Sequence, residues 1–131
     1  MTSTFQAGEL AQKRCVPCEK GTPPLKGEPL RQLVNKLPDW TVVGEHHIQR
    51  EFRLPDFKGA LRLTNLIGEL AEAEGHHPEI QLSWGKVLVT LWTHAASGLS
   101  ENDFVLAAKI EQRMMQDRDL RSSLGPKPTT H

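Results

Sequence analysis

Glu72-Ala-Glu-Gly-His76-His77-Pro78-Glu-Ile80-Gln-Leu82-Ser-Trp84-Gly-Lys-Val87-Leu-Val89-Thr-Leu91-Trp-Thr-His94 is the stretch on which the fold turns. After Pro78 the apolar residues alternate: Ile80, Leu82 and Trp84, then Val87, Val89 and Leu91. Period two marks half-buried strands. Gly85-Lys86 reads as the two-residue loop of a hairpin. That register pairs Trp84 with Val87, Leu82 with Val89 and Ile80 with Leu91 on the core face. Counted outward, it places His77 opposite His94 on the other face, where directly paired Cβ atoms stand about 5 Å apart. Pro78 has no N–H to give the ladder, so pairing is expected to be loose at that end.

Upstream, Leu54-Pro55-Asp56 opens a helix with Asp56 as N-cap. The helix should run to Glu74, with Gly75 just past its end. At 100° per residue Phe57, Ala60, Leu61, Thr64, Ile67, Gly68 and Ala71 form one stripe, and Leu63, Leu66, Leu70 and Ala73 a second. A helix covering a sheet needs one apolar face. The second stripe is therefore expected against another subunit or under the first helix. Downstream, Ser100-Glu-Asn-Asp103 is a capping box, with Leu99 and Phe104 as its hydrophobic staple. Phe104, Ala107, Ile110 and Met114 continue a buried face, and the helix should end near Leu120.

Earlier in the chain, Leu30, Leu33, Val34 and Leu37 share one face of a short helix over Glu28–Leu37, stopped by Pro38-Asp39. Trp40–Val43 and His47–Phe52 read as strands around Gly44-Glu45-His46. A three-residue loop pairs Val42 with Ile48 and puts Trp40, Val42, Ile48 and Phe52 on one face. His46 and His47 then fall at a solvated turn. The element order is helix, two strands, helix, two strands, helix, an α+β chain. Residues 1–27, broken by Pro17, Gly21, Pro23, Pro24 and Gly27, are expected to be an extended arm. Residues 28–120 form the domain, and 121–131 a flexible tail by composition.

A chain of 131 residues is one domain on the length prior. Sixteen basic side chains balance sixteen acidic ones, which gives no electrostatic case for nucleic acid or an anionic membrane. No apolar run approaches the roughly 18 residues of a transmembrane helix. Met1–Leu10 lacks the basic start and apolar core of a signal peptide, so the expected compartment is the cytoplasm. There Cys15 and Cys18 are not expected to form a structural disulfide. Cys15-Val-Pro-Cys18 could be half a zinc site or a redox pair, but no second C-x-x-C completes a zinc site. No preceding strand and following helix suits a thioredoxin-like site either, and the bland reading is preferred.

The chemistry-bearing residues crowd the ends of the hairpin. His76, His77 and His94 can exchange protons near neutral pH, with an unperturbed pKa of about 6.5. Glu72 and Asp103 are carboxylates placed to hold imidazole tautomers or raise histidine pKa values. Each has a bland alternative. Asp103 is equally explained as a capping-box residue. Trp84 suits the core, Glu72 a solvated helix edge, and His76-His77 a helix C-terminus that favours imidazolium.

The pattern Glu72, His76-His77-Pro78, Trp84, His94 and Asp103 resembles the signature of the pterin-4a-carbinolamine dehydratases, with no gap or substitution. The likeness spans roughly Glu28–Gln116, including Leu91-Trp-Thr-His94 and Gly98-Leu99. Bacterial relatives also carry an arm similar to Cys15–Cys18. The resemblance implies a four-stranded antiparallel sheet with helices packed on one face, assembling as homodimers or homotetramers. It implies a hydro-lyase that converts 4a-hydroxytetrahydropterin to quinonoid dihydropterin and water, with no metal or organic cofactor. The substrate would come from a pterin-dependent aromatic amino acid hydroxylase.

By the same resemblance His76, His77 and His94 are catalytic, Glu72 and Asp103 support them, and Pro78 and Trp84 contact substrate. His77 and His94 are assigned as alternative acids for the hydroxyl, and His76 as the residue that orients the pterin or acts as base. Two rivals stand beside this reading. A zinc protein built on the histidines or cysteines lacks an H-E-x-x-H or second cysteine pair. A non-catalytic assembly factor or transcription coactivator of the same fold would be free to lose the histidines, and none is lost here.

Overall fold

The computed structural model describes residues 8–17, 19–118 and 120. Its elements are α1 (Gly8–Gln12), α2 (Gly27–Asn35), β1 (Thr41–Val43), β2 (His47–Arg53), α3 (Phe57–Glu74), β3 (Glu79–Ser83), β4 (Lys86–Leu91), a 3-10 turn (His94–Ala96) and α4 (Glu101–Gln116). The strands form one antiparallel sheet in the order β1-β2-β4-β3. This is the expected α+β architecture, with one addition. The short helix α1 interrupts the arm and packs against α4.

Alternation sorts the sheet into a covered and an open face. Ile48, Phe52, Val87, Val89 and Leu91 are buried, while Glu51, Arg53, Glu79, Gln81 and Ser83 are exposed. Arg50 also points to the covered face. It pairs with Glu111 of α4, whose Oε2 accepts the indole N–H of Trp40 at 2.9 Å. The Arg50 guanidinium lies 4.3 Å from the Phe52 ring centroid, a cation–π contact at the sheet–helix boundary.

The first hairpin has the expected three-residue loop, with Val42 paired to Ile48. The second does not turn where the alternation suggested. Ser83 pairs with Lys86 and Leu82 with Val87, so the loop is Trp84-Gly85. Gly85 is required by proximity: its carbonyl accepts Leu54 N–H at 2.8 Å, and a Cβ on it would stand 2.8 Å from Leu54 O. Moving the turn by one residue changes each partner by two, so Ile80, Leu82, Val87 and Val89 keep the core face. Two consequences follow. Trp84 leaves the core and is 68% exposed at the loop. The ladder ends at Glu79 with Thr90, and two further residues outward bring His77 level with Trp92 rather than His94.

Helix α3 has the expected caps. Asp56 accepts Gly59 N–H through its side chain, and Gly75 is left-handed at φ 66°. Its buried face differs from both stripes drawn from the sequence. Ala60, Leu63, Leu66, Ile67 and Ala71 are buried together, so Leu63 and Leu66 lie in this chain's own core rather than between subunits or under α2. The helix meets α4 on one flank and β3 and β4 on the other, and two neighbours widen the covered arc. Phe57 and Leu61 remain outside, each more than two-fifths exposed, while of the second stripe Leu70 is half-buried and Ala73 exposed. Helix α4 begins with the full capping box at Ser100 and ends at Gln116, before Leu120, because Asp117 leaves helical geometry at φ −88°, ψ 110°. The expected tail, 121–131, lies outside the described residues.

Candidate active site

Gly75 ends α3 in a Schellman turn. Its N–H reaches Glu72 O and the next N–H, of His76, reaches Ala71 O at 3.2 Å. The left-handed residue redirects the chain so that His76 meets the start of α4. There Asp103 is fully buried, and its two oxygens divide their work. Oδ2 accepts Ser100 N–H at 2.9 Å, closing the capping box, and the Thr93 hydroxyl at 2.8 Å. Oδ1 stands 2.6 Å from His76 Nε2. The cap and the site role, alternatives in the sequence, are held by one carboxylate at once. With Nε2–H donated to Asp103, the His76 lone pair sits on Nδ1.

His77 Nε2 lies 2.6 Å from Glu72 Oε2, a second histidine–carboxylate pair of different character. Its side chains are 61% and 80% exposed, against 13% and 0% for His76 and Asp103. The outer pair is accordingly weak in energy, since solvent and side-chain entropy offset exposed contacts. His94 opens the 3-10 turn after β4 and is exposed. Its ring centroid lies 3.9 Å from that of Trp92, which is in turn 4.6 Å from the His46 ring. His46 is thus joined to the site by stacking, although it sits on the solvated turn expected for it.

His76, His77 and His94 line one cleft of about 500 Å³, large enough for a bicyclic ligand. Trp92, Thr93 and Asn102 line its inner side, and Cys15, Val16 and Pro17 of the arm close another. Glu72 and Asp103 hold imidazoles without lining the cleft themselves. Pro78 and Trp84 are not among its lining residues, and Trp84 lies at the far end of the hairpin. Cys18 lies outside the described residues. The residues that sequence reasoning missed are Trp92, Asn102, Glu74 and the arm. Only Trp92 carried a signal, in Leu91-Trp-Thr-His94.

Burial and the neighbouring Glu74 carboxylate push the Cys15 thiol up to about 12. It is a weak donor to Asn102 O at 3.6 Å rather than a reactive thiolate. Burial also raises Glu74, but Cys15 N–H, Lys109 and Arg14 outweigh it, and the net direction is below the ordinary range. Among the described residues no three His, Cys, Asp or Glu side chains gather as a metal would require. No helix among them is long and apolar enough to cross a membrane. A second groove of about 440 Å³, between α3 and α4, contains Lys58, Arg113 and the Arg62–Asp117 pair but no histidine.

A four-stranded sheet backed by helices, with two imidazoles bonded to carboxylates beside an open cleft, defines a small α+β domain. Residues 23–113 match the family described as pterin 4 alpha carbinolamine dehydratase, and the chain belongs to that family. A relative from Alkaliphilus metalliredigens, named "putative pterin-4-alpha-carbinolamine dehydratase", is 51% identical over 108 residues, 82% of this chain and 97% of its own length. One of the same name from Rubrobacter xylanophilus is 53% identical over 104 residues, 79% and 97% of the two chains. Among solved structures, a transcriptional coactivator/pterin dehydratase from Brucella melitensis superposes with a TM-score of 0.64 at 31% identity, covering 67% of this chain and 95% of its own. A pterin dehydratase-like RuBisCO assembly factor of the alpha-carboxysome, 20% identical with a TM-score of 0.50 over 56% and 87% of the chains, shares the fold.

Proposed function

We propose that this cleft dehydrates 4a-hydroxytetrahydropterin to quinonoid dihydropterin and water by histidine acid–base catalysis. The observation that carries the reading is the buried Asp103 carboxylate holding His76 beside His77 and His94 in one cleft. The capping box occupies only Oδ2 of that carboxylate, and its second bond, to an imidazole lining the cleft, is what favours an enzyme over an assembly factor.

Hydroxide leaves poorly, so the 4a-hydroxyl must gain a proton as its C–O bond breaks. An imidazolium at His77 or His94 supplies that proton, and water departs. Electron push from the pterin ring nitrogens assists, and one ring N–H proton is lost. His76 accepts it on Nδ1, the nitrogen left free by the bond to Asp103. Asp103 fixes the tautomer and stabilises the imidazolium that forms, while the exposed Glu72 orients His77 only weakly. Positioned acids and bases of this kind contribute typically 10² to 10⁴ in rate. No metal or organic cofactor is assigned a step.

The same reading places the chain in tetrahydropterin recycling, in the cytoplasm, beside an aromatic amino acid hydroxylase that generates the substrate. It also includes self-assembly as a homodimer or homotetramer, supported by Phe57 and Leu61 exposed on one side of α3. The domain limits follow the sequence reading: 28–120 as the catalytic unit, with 121–131 a tail. The test is to mix the purified chain, in chelator, with freshly generated 4a-hydroxytetrahydropterin and follow loss of the carbinolamine absorbance. The expected result is acceleration unaffected by the chelator. No acceleration, or activity lost in chelator and restored by zinc, would sink the proposal.

A further inference from the structure

The arm before the family-matched segment is tied to the two pieces of chain that carry the His76–Asp103 pair. Val16 N–H donates to Asn102 Oδ1 at 2.9 Å, and Asn102 Nδ2 donates back to Val16 O at 2.5 Å. Asn102 directly precedes Asp103. Cys15 N–H donates to Glu74 Oε1 at 2.9 Å, and Arg14 Nε lies 3.3 Å from Glu74 Oε2. Glu74 is two residues before His76, and its side chain is only 7% exposed. Further out, Lys109 donates to Ala11 O at 2.7 Å and Lys13 pairs with Glu101 at 2.9 Å.

A segment held by both backbone N–H groups of Cys15 and Val16, and by Val16 O, is fixed in register. Cys15 packs against the core, but Val16 buries little apolar surface and remains 62% exposed while lining the cleft. A large apolar side chain held rigidly at the mouth of a polar site is placed to touch what enters. The matched family segment begins at residue 23, so this wall lies outside it.

We propose that Cys15–Pro17 is a specificity-determining wall of the pterin site, with Val16 and Pro17 packing against the bound substrate and Asn102 as the positioning residue that docks them. The proposal rests on the pterin reading of the cleft. The wall acts on binding and leaves proton transfer to the histidines. A changed wall therefore alters KM and not kcat.

Two measurements on the full-length chain test it. Val16→Asp, at an exposed position, should keep the fold and melting temperature, raise KM about tenfold and hold kcat within about twofold. In a Cys18→Ser background, labelling of Cys15 by an aromatic disulfide reagent reads arm docking directly. Saturating 7,8-dihydropterin should slow it about tenfold, and Asn102→Ala should speed it in the absence of pterin. Wild-type turnover with an unchanged KM in Val16→Asp and labelling indifferent to pterin would overturn the wall and leave the dehydratase reading intact. A wild-type chain that neither binds the pterin nor turns it over overturns both.

Discussion

Asp103→Asn is the sharpest perturbation of this site because it changes charge without changing shape. Asp103 accepts three hydrogen bonds in the buried interior, from Ser100 N–H, the Thr93 hydroxyl and His76 Nε2–H. An asparagine that keeps its carbonyl toward Ser100 and Thr93 retains the cap and turns its NH₂ toward His76. His76 Nε2 must then accept, its proton moves to Nδ1, and the cleft loses the base lone pair. Weakening the charge-assisted bonds costs about 1–3 kcal/mol. For a chain of this size that is a fall of roughly 3–15 °C in melting temperature. The loss in kcat should be much larger in relative terms, on the order of 10² or more. Circular dichroism follows the fold, and stopped-flow absorbance follows carbinolamine loss. A folded Asp103→Asn protein with kcat within about threefold of wild type would refute the tautomer argument.

His77→Ala and His94→Ala should each lose one 4a stereoisomer preferentially, with the double variant falling much further, as members of one acid–base unit do; equal losses on both isomers in stereoisomer-resolved kinetics would end the two-face assignment. Leu61→Glu, on the outward side of α3, should lower the oligomer state seen by sedimentation with little loss of monomer fold, whereas Leu63→Ala should cost about 2–5 kcal/mol of stability as a core truncation in denaturant titration. The arm should also shape the pH dependence of stability. The Glu74 pKa is depressed in the folded chain, so its contribution is present above the ordinary 4.5 and fades as pH falls below it. The Cys15 pKa is raised from 9.0 to about 12, so its contribution is full below 9 and is lost as pH rises through that interval. Cys15→Ala should flatten the alkaline limb of denaturant midpoint against pH, and an unchanged limb would dissociate Cys15 from it.

The parts of the fold legible in the sequence are those fixed by local chemistry. Asp56, Gly75 and the Ser100–Asp103 box declare helix ends through hydrogen bonds made within a few residues. The alternation from Ile80 to Leu91 declares strands, and even a misplaced turn preserved the face of Ile80, Leu82, Val87, Val89 and Leu91, though not that of Trp84. What was illegible depends on distant neighbours. The loop of the second hairpin is fixed by Leu54 approaching Gly85, some thirty residues away in sequence, and nothing around Trp84 signals that. The buried side of α3 is fixed by having α4 on one flank and strands on the other, so two candidate stripes merged into one arc.

The site divides in the same way. The three histidines and two carboxylates were visible as residue types at telling spacings. That Asp103 serves cap and imidazole through separate oxygens could not be read from either motif alone. Cys15–Pro17 gave no periodic signal because Glu74 and Asn102 hold it through backbone groups, and backbone hydrogen bonds leave no side-chain pattern. His94 reached the cleft by a 3-10 turn after β4 rather than by the strand register, which, extended past its last pair, brings Trp92 level with His77.

The central claim, that a pterin occupies the cleft between the end of α3, the 3-10 turn and the arm, is tested most directly by NMR titration of the full chain with 7,8-dihydropterin. The account predicts that the imidazole resonances of His76, His77 and His94 and the amides of Cys15 and Val16 shift together along one saturable curve, with Trp84 unmoved. Shifts gathered instead around Lys58 and Arg113 in the groove between α3 and α4, with the three imidazoles unchanged at saturation, would contradict it.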